Sequence, residues 1–333
     1  MGVMMLDYGH SFDRESLSRL ADAGCKDILL FDYWCEHEPE EGRFTFDPLL
    51  EYSKTVRELG MSLRVQTPVG VPLWCPRDWF LTNAEGVRSD FYDAEVRYRM
   101  PLTEPLTYEY TITRAIKTLS YWNADAEAHL VEYVRRLRQA VESENATCIC
   151  SIGSCGEYLF PPVYFYPFLG AEASPWWFDE GAERSWLGYC EGRDAPDRSA
   201  WLLGQLGEIT QRRLSLFDEK WLQYVPYYQG WGNFGNDNVD VVLDQNANHL
   251  RTILFSVFHL NFPDIATVQA AKFPTWGGAE GAANIVTNSR RAYELGLKGV
   301  VCGPLWFNYA SGMETWMYEE IRKANEYWEA IES

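Results

Sequence analysis

Several features that would assign this chain to common classes of protein are missing or scarce. Acidic residues outnumber basic ones by 48 to 29, so the net charge is −19. Nucleic acids and anionic membranes are bound by basic patches, so we exclude both as partners. No hydrophobic run approaches the length of about 18 residues that a membrane-spanning helix needs. The sequence therefore predicts a protein that acts on neither a polyanion nor a lipid surface.

Signals for metals, disulfides and dinucleotides are also lacking. The eight cysteines show no CxxC spacing, and the five histidines are not paired at ligand spacing. Buried free thiols are the simpler interpretation of such cysteines, and we expect no metal site. No GxGxxG follows the first strand-like run, which removes the main argument for a dinucleotide-binding fold. We predict that the protein uses no cofactor.

The first residues, MGVMMLDYGHSF, do not contain a basic region followed by an apolar core. Together with the expected free thiols, this favours a cytoplasmic protein. A secreted chain whose signal has been removed is the alternative. The sequence leaves the oligomeric state open.

Aromatic residues are abundant, with 14 Trp and 20 Tyr. Many of them lie in Gly- and Pro-rich segments rather than in periodic ones. Some will pack in the interior. Others can form flat platforms in loops, including platforms for the apolar faces of sugar rings.

Strand-like runs alternate with helical patterns along the whole chain, which predicts a parallel sheet covered by helices. The eight runs span 2–9, 27–34, 62–68, 147–154, 221–228, 252–260, 265–273 and 298–306. Eight such units favour a closed (β/α)8 TIM barrel, forming a single catalytic domain over 1–333. We expect long insertions after strands 3 and 4, at about 75–125 and 161–197. The sixth crossover, at 261–264, looks too short for a helix.

Two carboxylates are the strongest candidates for chemistry. Glu157 follows strand 4 in TCICSIGSCGEYLFPPV (147–163), directly after a glycine. Barrel enzymes place catalytic groups at the carboxyl ends of their strands. A second carboxylate across the barrel would complete the pair that glycoside hydrolysis needs. We assign this role to Glu280 in FPTWGGAEGAANIV, several residues beyond the predicted strand 7. Its rivals are Asp7, Asp32, Glu36 and Glu38.

Further side chains near the predicted strand ends could bind substrate. The polar ones would bind hydroxyl groups or orient a carboxylate, and the aromatic ones would pack against sugar rings. The predicted substrate-binding residues are Trp34, Arg64, Trp74, Tyr158, Gln229, His259, Asn261, Trp276 and Trp306. Trp306, at the end of strand 8, would form the floor under the sugar ring.

Two segments resemble a known family. WCEHEPEEGRFTFDP (34–48) resembles a signature of clan A glycoside hydrolases, especially the family 42 β-galactosidases. The stretch at 60–89 is similar to strand 3 of that family and the loop after it. The resemblance implies a retaining TIM-barrel enzyme with its acid/base after strand 4 and its nucleophile after strand 7. Glu157 and Glu280 match that order, and Trp306 matches a tryptophan after strand 8.

One departure keeps other mechanisms open. Clan A has Asn immediately before the acid/base, where this chain has Gly156. GSCGEYLFP is instead similar to the motif around the general acid of β-amylases, which are inverting. The leading prediction is a hydrolase of carbohydrate metabolism that cleaves β-galactosides or β-glucosides in an oligo- or polysaccharide by a retaining mechanism. The alternatives are an inverting, β-amylase-like glycosidase and a barrel that binds carbohydrate without cleaving it.

Overall fold

The computed structural model describes most of the chain. The described residues are 1–72, 74–82, 84, 86, 88, 97–101, 107–111, 119–144, 146–151, 177–223, 243–254, 263–280, 284–303, 313 and 315–333. Structural statements below refer to these residues.

Ten strands are present in the described residues, and eight of them form the barrel. In chain order the strands are β1 (Gly2–Tyr8), β2 (Asp27–Tyr33), β3 (Ser62–Val69), β4 (Arg97–Pro101), β5 (Thr107–Thr111), β6 (Ala146–Ser151), β7 (Trp221–Gln223), β8 (Thr252–Leu254), β9 (Thr275–Glu280) and β10 (Gly299–Gly303). All barrel strands are parallel, in the closed order β1-β10-β9-β8-β7-β6-β3-β2. The predicted TIM barrel is confirmed. We call the face where the carboxyl ends of its strands meet the mouth.

Helices follow the strands and cover the barrel. They are α1 (Arg14–Asp22), α2 (Trp34–His37), α3 (Asp47–Glu58), α4 (Ala124–Val141), α5 (Glu180–Cys190), α6 (Arg198–Leu214), α7 (Pro263–Lys272), α8 (Ile285–Glu294) and α9 (Thr315–Glu332). Asp13 and Asn123 cap α1 and α4 by accepting a hydrogen bond from a first-turn amide. Gly24, Gly60 and Gly296 end α1, α3 and α8 with φ of 82°, 76° and 79°, in the left-handed conformation that glycine adopts readily at the end of a helix.

The hairpin β4–β5 stands outside the barrel, in the segment between β3 and α4. Its strands pair antiparallel, with Tyr98 opposite Tyr110 and Met100 opposite Tyr108. Within the described residues this two-stranded sheet pairs with no other strand.

The seventh strand differs from the sequence prediction. Residues 265–273, predicted as a strand, lie almost entirely in helix α7, and the strand is β9 at Thr275–Glu280. A short apolar run without alternation does not distinguish a buried strand from a buried helix. Pro263, the first residue of the helix, was the signal for helix. The predicted short crossover is also wrong, because α7 itself connects β8 to β9.

Two sets of apolar side chains form the core, one inside the barrel and one between the barrel and its helices. The inner set is Met4, Leu6, Leu29, Phe31, Ile149, Leu254 and Val301. Alternation along the strands separates these residues from neighbours such as Met5 and Leu30, which face the helices. Within the described residues, no helix has the length and apolar character needed to cross a membrane.

The described cysteines are free thiols, as the sequence predicts, and most are buried. Burial raises the pKa of four of these thiols to about 12, those of Cys25, Cys148, Cys150 and Cys302. Such thiols stay protonated and unreactive, and they act as small apolar groups in the core.

Candidate active site

The corrected strand order changes the position of Glu280. It is the last residue of β9, the seventh barrel strand, and pairs in register with Gly303 of β10. The sequence placed it several residues beyond the strand. Glu280 therefore occupies the strand-end position at the mouth, where barrel enzymes carry catalytic groups.

Glu157 lies outside the described residues, six positions after Ser151, which ends the fourth barrel strand, β6. Around the barrel, β7 and β8 separate β6 from β9. Glu157 follows the end of β6 in the sequence, and Glu280 is the last residue of β9. These two strand ends are thus on different sides of the mouth. The predicted residues Tyr158, Gln229, His259, Asn261 and Trp306 also lie outside the described residues.

Trp34 requires a correction, because its side chain is fully buried. It packs in parallel against Tyr133, with ring centroids 4.8 Å apart, and its Nε1 donates to the carboxylate of Glu38 at 2.7 Å. An indole enclosed in this way presents no face to a sugar. Trp34 is a core residue behind β2 rather than the predicted substrate platform.

Arg64 also requires a correction. It is the third residue of β3, near the amino-terminal end of the barrel and away from the mouth. Its guanidinium donates to Asp27 at 3.1 Å, to Thr147 at 2.8 Å and to Glu219 at 2.8 Å, and it lies 4.7 Å from the ring centroid of Trp221. These contacts close the bottom of the barrel instead of binding substrate.

Trp276 is likewise placed at the amino-terminal end, as the second residue of β9. Its ring packs against the apolar set inside the barrel. It lies so close to β10 that a β-carbon at Gly299 would overlap it. The indole therefore fills the lower barrel interior, and glycine at position 299 makes room for it.

Trp74 occupies a different environment, in the loop that follows β3 at the mouth. Its Nε1 donates to the backbone carbonyl of Glu38 at 2.8 Å, and its ring meets His129 edge-on at 4.9 Å. The side chain is only partly buried. These contacts, with a further edge-on contact to Trp79 at 6.0 Å, fix an indole that keeps part of its surface accessible near the mouth, as a sugar platform requires.

Two of the rival carboxylates have structural roles. Asp7 is fully buried and accepts hydrogen bonds from the backbone amides of Ser11 and Phe12 and from the hydroxyls of Ser11 and Tyr52. This holds the β1–α1 loop against helix α3. A carboxylate with this many donors is committed to the fold and unsuited to attack a substrate.

Glu38 is committed in the same way. Its fully buried carboxylate accepts from Trp34 Nε1, from the Gly42 amide at 2.8 Å and from His129 Nε2 at 2.8 Å. The residue therefore ties the loop after β2 to helix α4. Within the motif, Glu38 thus has a structural role.

Asp32, the third buried rival, lies between two histidines. His37 Nε2 is 2.6 Å from one carboxylate oxygen, while its Nδ1 is 2.8 Å from the carbonyl of Thr45. Because both ring nitrogens face acceptors, the arrangement favours the imidazolium form of His37, which carries a hydrogen on each nitrogen. Burial opposes this charge, but Asp32 and the two hydrogen bonds outweigh it and raise the pKa of His37 above 6.5.

The second histidine is His10, from the turn after β1. Its Nε2 lies 3.3 Å from the other carboxylate oxygen of Asp32. The two histidines could not be grouped with Asp32 from sequence, because the three residues come from two separate strand ends and an i, i+5 pair has no recognised motif. Within the described residues, no set of three or more His, Cys, Asp or Glu is arranged to hold a metal ion.

No protein-family model and no curated protein sequence matches the chain. Similar folds occur among solved structures. A β-galactosidase from the Antarctic haloarchaeon Halorubrum lacusprofundi has a TM-score of 0.61 and 14% identity, over 99% of this chain and 58% of that one. A β-galactosidase from the psychrophilic Marinomonas ef1 has a TM-score of 0.59 and 9% identity, over 99% and 60%. The chain spans less than two thirds of either enzyme. At these identities, the likeness establishes the barrel fold.

Proposed function

We propose that the protein is a glycoside hydrolase that cleaves β-glycosidic bonds by a retaining mechanism. The observation that carries this proposal is that the seventh barrel strand ends at Glu280. Glu157 follows the fourth strand, so the two carboxylates follow the strand order of clan A enzymes, which the sequence resembles. The two structurally similar β-galactosidases support the same class of reaction.

In this mechanism each carboxylate has a separate role. Glu280 attacks the anomeric carbon while Glu157 donates a proton to the leaving glycosidic oxygen, so the glycosidic bond breaks as a glycosyl–enzyme bond forms. Glu157 then removes a proton from water, which attacks the anomeric carbon and releases Glu280. No cofactor or metal takes part.

The substrate we propose is an oligo- or polysaccharide with a β-galactosyl or β-glucosyl unit. Trp74 is the described residue best placed to contact it, because its indole is fixed by Glu38 and His129 and remains partly exposed at the mouth. Aromatic rings held in this way pack against the apolar face of a sugar at little entropic cost.

The decisive experiment is the replacement of Glu157 by Gln, assayed on a panel of aryl glycosides and oligosaccharides. We expect kcat on unactivated glycosides to fall by at least about 10³-fold, because the leaving oxygen is no longer protonated. Dinitrophenyl glycosides, whose leaving group needs no proton, should be affected far less in glycosylation. Glu41→Gln, in an exposed turn, is the matched control. Normal turnover of natural glycosides by Glu157→Gln would refute the assignment.

NMR of the first-formed product tests the stereochemistry. The retaining mechanism predicts the β-anomer, whereas an inverting reaction of the β-amylase type predicts the α-anomer from a β-glycoside. Gly156 is the sequence feature that favours the inverting alternative. Sugar binding with no turnover over long incubation would instead indicate a carbohydrate-binding barrel without catalysis.

A further inference from the structure

The turn after β1 has an unusual backbone at a residue that bears a functional side chain. His10 has φ of 61°, in the left-handed region, which few residues other than glycine adopt. Gly9 before it has φ of 64°, and a β-carbon there would run into the ring of Tyr33. This pair of left-handed residues turns the chain so that the imidazole of His10 reaches Asp32 of the neighbouring strand.

The imidazole of His10 is held on two sides. Its Nε2 lies 3.3 Å from Asp32, and its ring packs against Tyr52 with centroids 5.0 Å apart. Tyr52 is itself fixed, because its hydroxyl donates to Asp7. The ring therefore has a defined orientation before any ligand arrives, which lowers the entropic cost of binding one.

Asp32 determines which hydrogen His10 carries. The carboxylate is fully buried, and its other oxygen lies 2.6 Å from Nε2 of His37. The oxygen that faces His10 and the Nε2 of His10 are 3.3 Å apart without the alignment of a hydrogen bond, and the negative charge of the carboxylate favours the tautomer with hydrogen on the nearer nitrogen, Nε2. The Nδ1 of a neutral His10 is then a hydrogen-bond acceptor. Among the described residues, none forms a hydrogen bond with this Nδ1.

The side chain of His10 is 15% exposed, whereas those of Asp32 and His37 are 0% and 2% exposed. The turn follows the carboxyl end of β1, so the accessible part of the ring lies on the mouth side of the barrel. At this position a left-handed backbone and an oriented ring occur together with an acceptor that forms no hydrogen bond with a described residue. Strain of this kind is retained where function requires it.

We infer that His10 is a substrate-contacting residue, whose Nδ1 accepts a hydrogen bond from a sugar hydroxyl, and that Asp32 and His37 are its positioning residues. The inference rests on the proposed glycosidase function. It identifies the ligand at this point of the mouth as a hydroxyl group rather than a carboxylate or phosphate, because an acceptor nitrogen needs a ligand that brings a hydrogen, and an ionised carboxylate or phosphate brings none.

Two substitutions separate the two ring nitrogens. The side-chain amide of Asn can place a polar atom near the position of Nδ1, whereas that of Gln can do so near Nε2 and Asp32. If the Nδ1 contact with substrate matters, kcat/KM should fall by about tenfold in His10→Gln and by less in His10→Asn, mainly through KM. If His10 only anchors the turn to Asp32, the order should reverse. That reversed order, or wild-type kcat/KM in both folded variants, would overturn the proposal.

A third variant tests the backbone strain. His10→Gly relieves the left-handed conformation but removes the imidazole, so kcat/KM should fall by about tenfold without a fall in the thermal unfolding midpoint. A lower midpoint with unchanged kcat/KM would indicate a structural residue and contradict the proposal. His249→Gln, at an exposed histidine that contacts Gln211, is the control.

Monodeoxy aryl glycosides identify the hydroxyl group. A substrate that lacks the hydroxyl bound by His10 cannot use this contact, so wild type and His10→Gln should have the same kcat/KM on it. On substrates that lack any other hydroxyl, the tenfold difference in kcat/KM between the two proteins should persist. Should the wild type turn over no glycoside, calorimetric titration with the same sugars separates the two proposals. Weaker sugar binding by His10→Gln would retain the role of His10 while refuting hydrolysis, and equal or absent binding would refute both.

Discussion

Carboxylates near the ends of the barrel strands fall into two groups with different surroundings. Asp7, Asp32 and Glu38, near the ends of β1 and β2, are fully buried beside donors from the segments that follow those strands. Glu157 and Glu280, after β6 and at the end of β9, have glycine as an immediate neighbour. Around Glu280 the sequence GGAEGAA offers no side-chain donor.

This difference shows that a position at a strand end does not by itself make a carboxylate catalytic. A carboxylate whose own loop supplies donors becomes part of the fold, since its lone pairs are used and its burial is compensated. The residues next to Glu280 along the chain supply no such donor, which favours it as a catalytic candidate. The surrounding sequence, more than the position, distinguishes a structural from a catalytic candidate.

The largest effect should come from the second group. In Glu280→Ala, we expect kcat to fall by at least about 10³-fold, since no glycosyl–enzyme bond can form, while the free energy of unfolding is unchanged. Azide should restore turnover of activated aryl glycosides and give a glycosyl azide of inverted configuration. Steady-state kinetics and NMR of the azide product measure both. Retained activity without azide would show that another carboxylate is the nucleophile.

The first group should respond in the opposite way. Asp7→Ala removes an acceptor shared by Ser11, Phe12 and Tyr52, so buried donors lose their partner and stability should fall by about 3 kcal/mol. Urea denaturation measures this loss. Tyr52→Phe, which removes only one donor, should cost about 1 kcal/mol. An Asp7→Ala variant as stable as the wild type would mean that the comparison between the two groups fails.

The Asp32–His37 pair should make stability depend on pH. The pKa of His37 is raised in the folded protein above its ordinary 6.5. A raised pKa gives stability that is fully present below pH 6.5 and is lost as pH rises through the folded value. Unfolding midpoints of the wild type should therefore decrease above pH 6.5 more steeply than those of His37→Gln. Parallel pH profiles would contradict the charged state of His37.

The smallest effect is expected for an exposed carboxylate outside both groups. Hydrogen bonds from Arg135 and Arg136 lower the pKa of Glu132 on helix α4 to about 2. Solvent screens these contacts, so Glu132→Gln should leave both the unfolding midpoint and kcat unchanged within error. A clear change in either would show that a low pKa alone, without burial, marks an important carboxylate here.

Interpretation of the strands from sequence was successful where apolar character and helix ends agreed. It failed at the seventh strand, where IATVQAAKF is as apolar as a buried strand but forms α7. The actual strand, TWGGAE, contains two glycines and has low intrinsic strand preference. Pairing with β8 and β10 makes it a strand, and the residues of a segment alone do not show which strands it will pair with.

The roles of some single side chains could be proposed from sequence, and those of others could not. Glu157, after the fourth barrel strand, and Glu280, near the seventh, could be proposed from sequence, because glycines and strand ends are local features. The burial of Trp34 and the bottom position of Arg64 could not, since both depend on contacts with residues distant in the chain, such as Tyr133 and Glu219.

The sequence by itself determined the alternation of strands and helices, and hence the closed barrel, because hydrophobic periodicity and helix-ending glycines are local features of the sequence. Only the tertiary structure decided that Glu280 ends a barrel strand. It also decided that the carboxylates of Asp7 and Glu38 accept hydrogen bonds from buried donors, and that Asp32 lies between His10 and His37. The physical reason is that burial and hydrogen-bond satisfaction depend on which segments meet in space. In a barrel, those segments come from strands that are far apart along the chain.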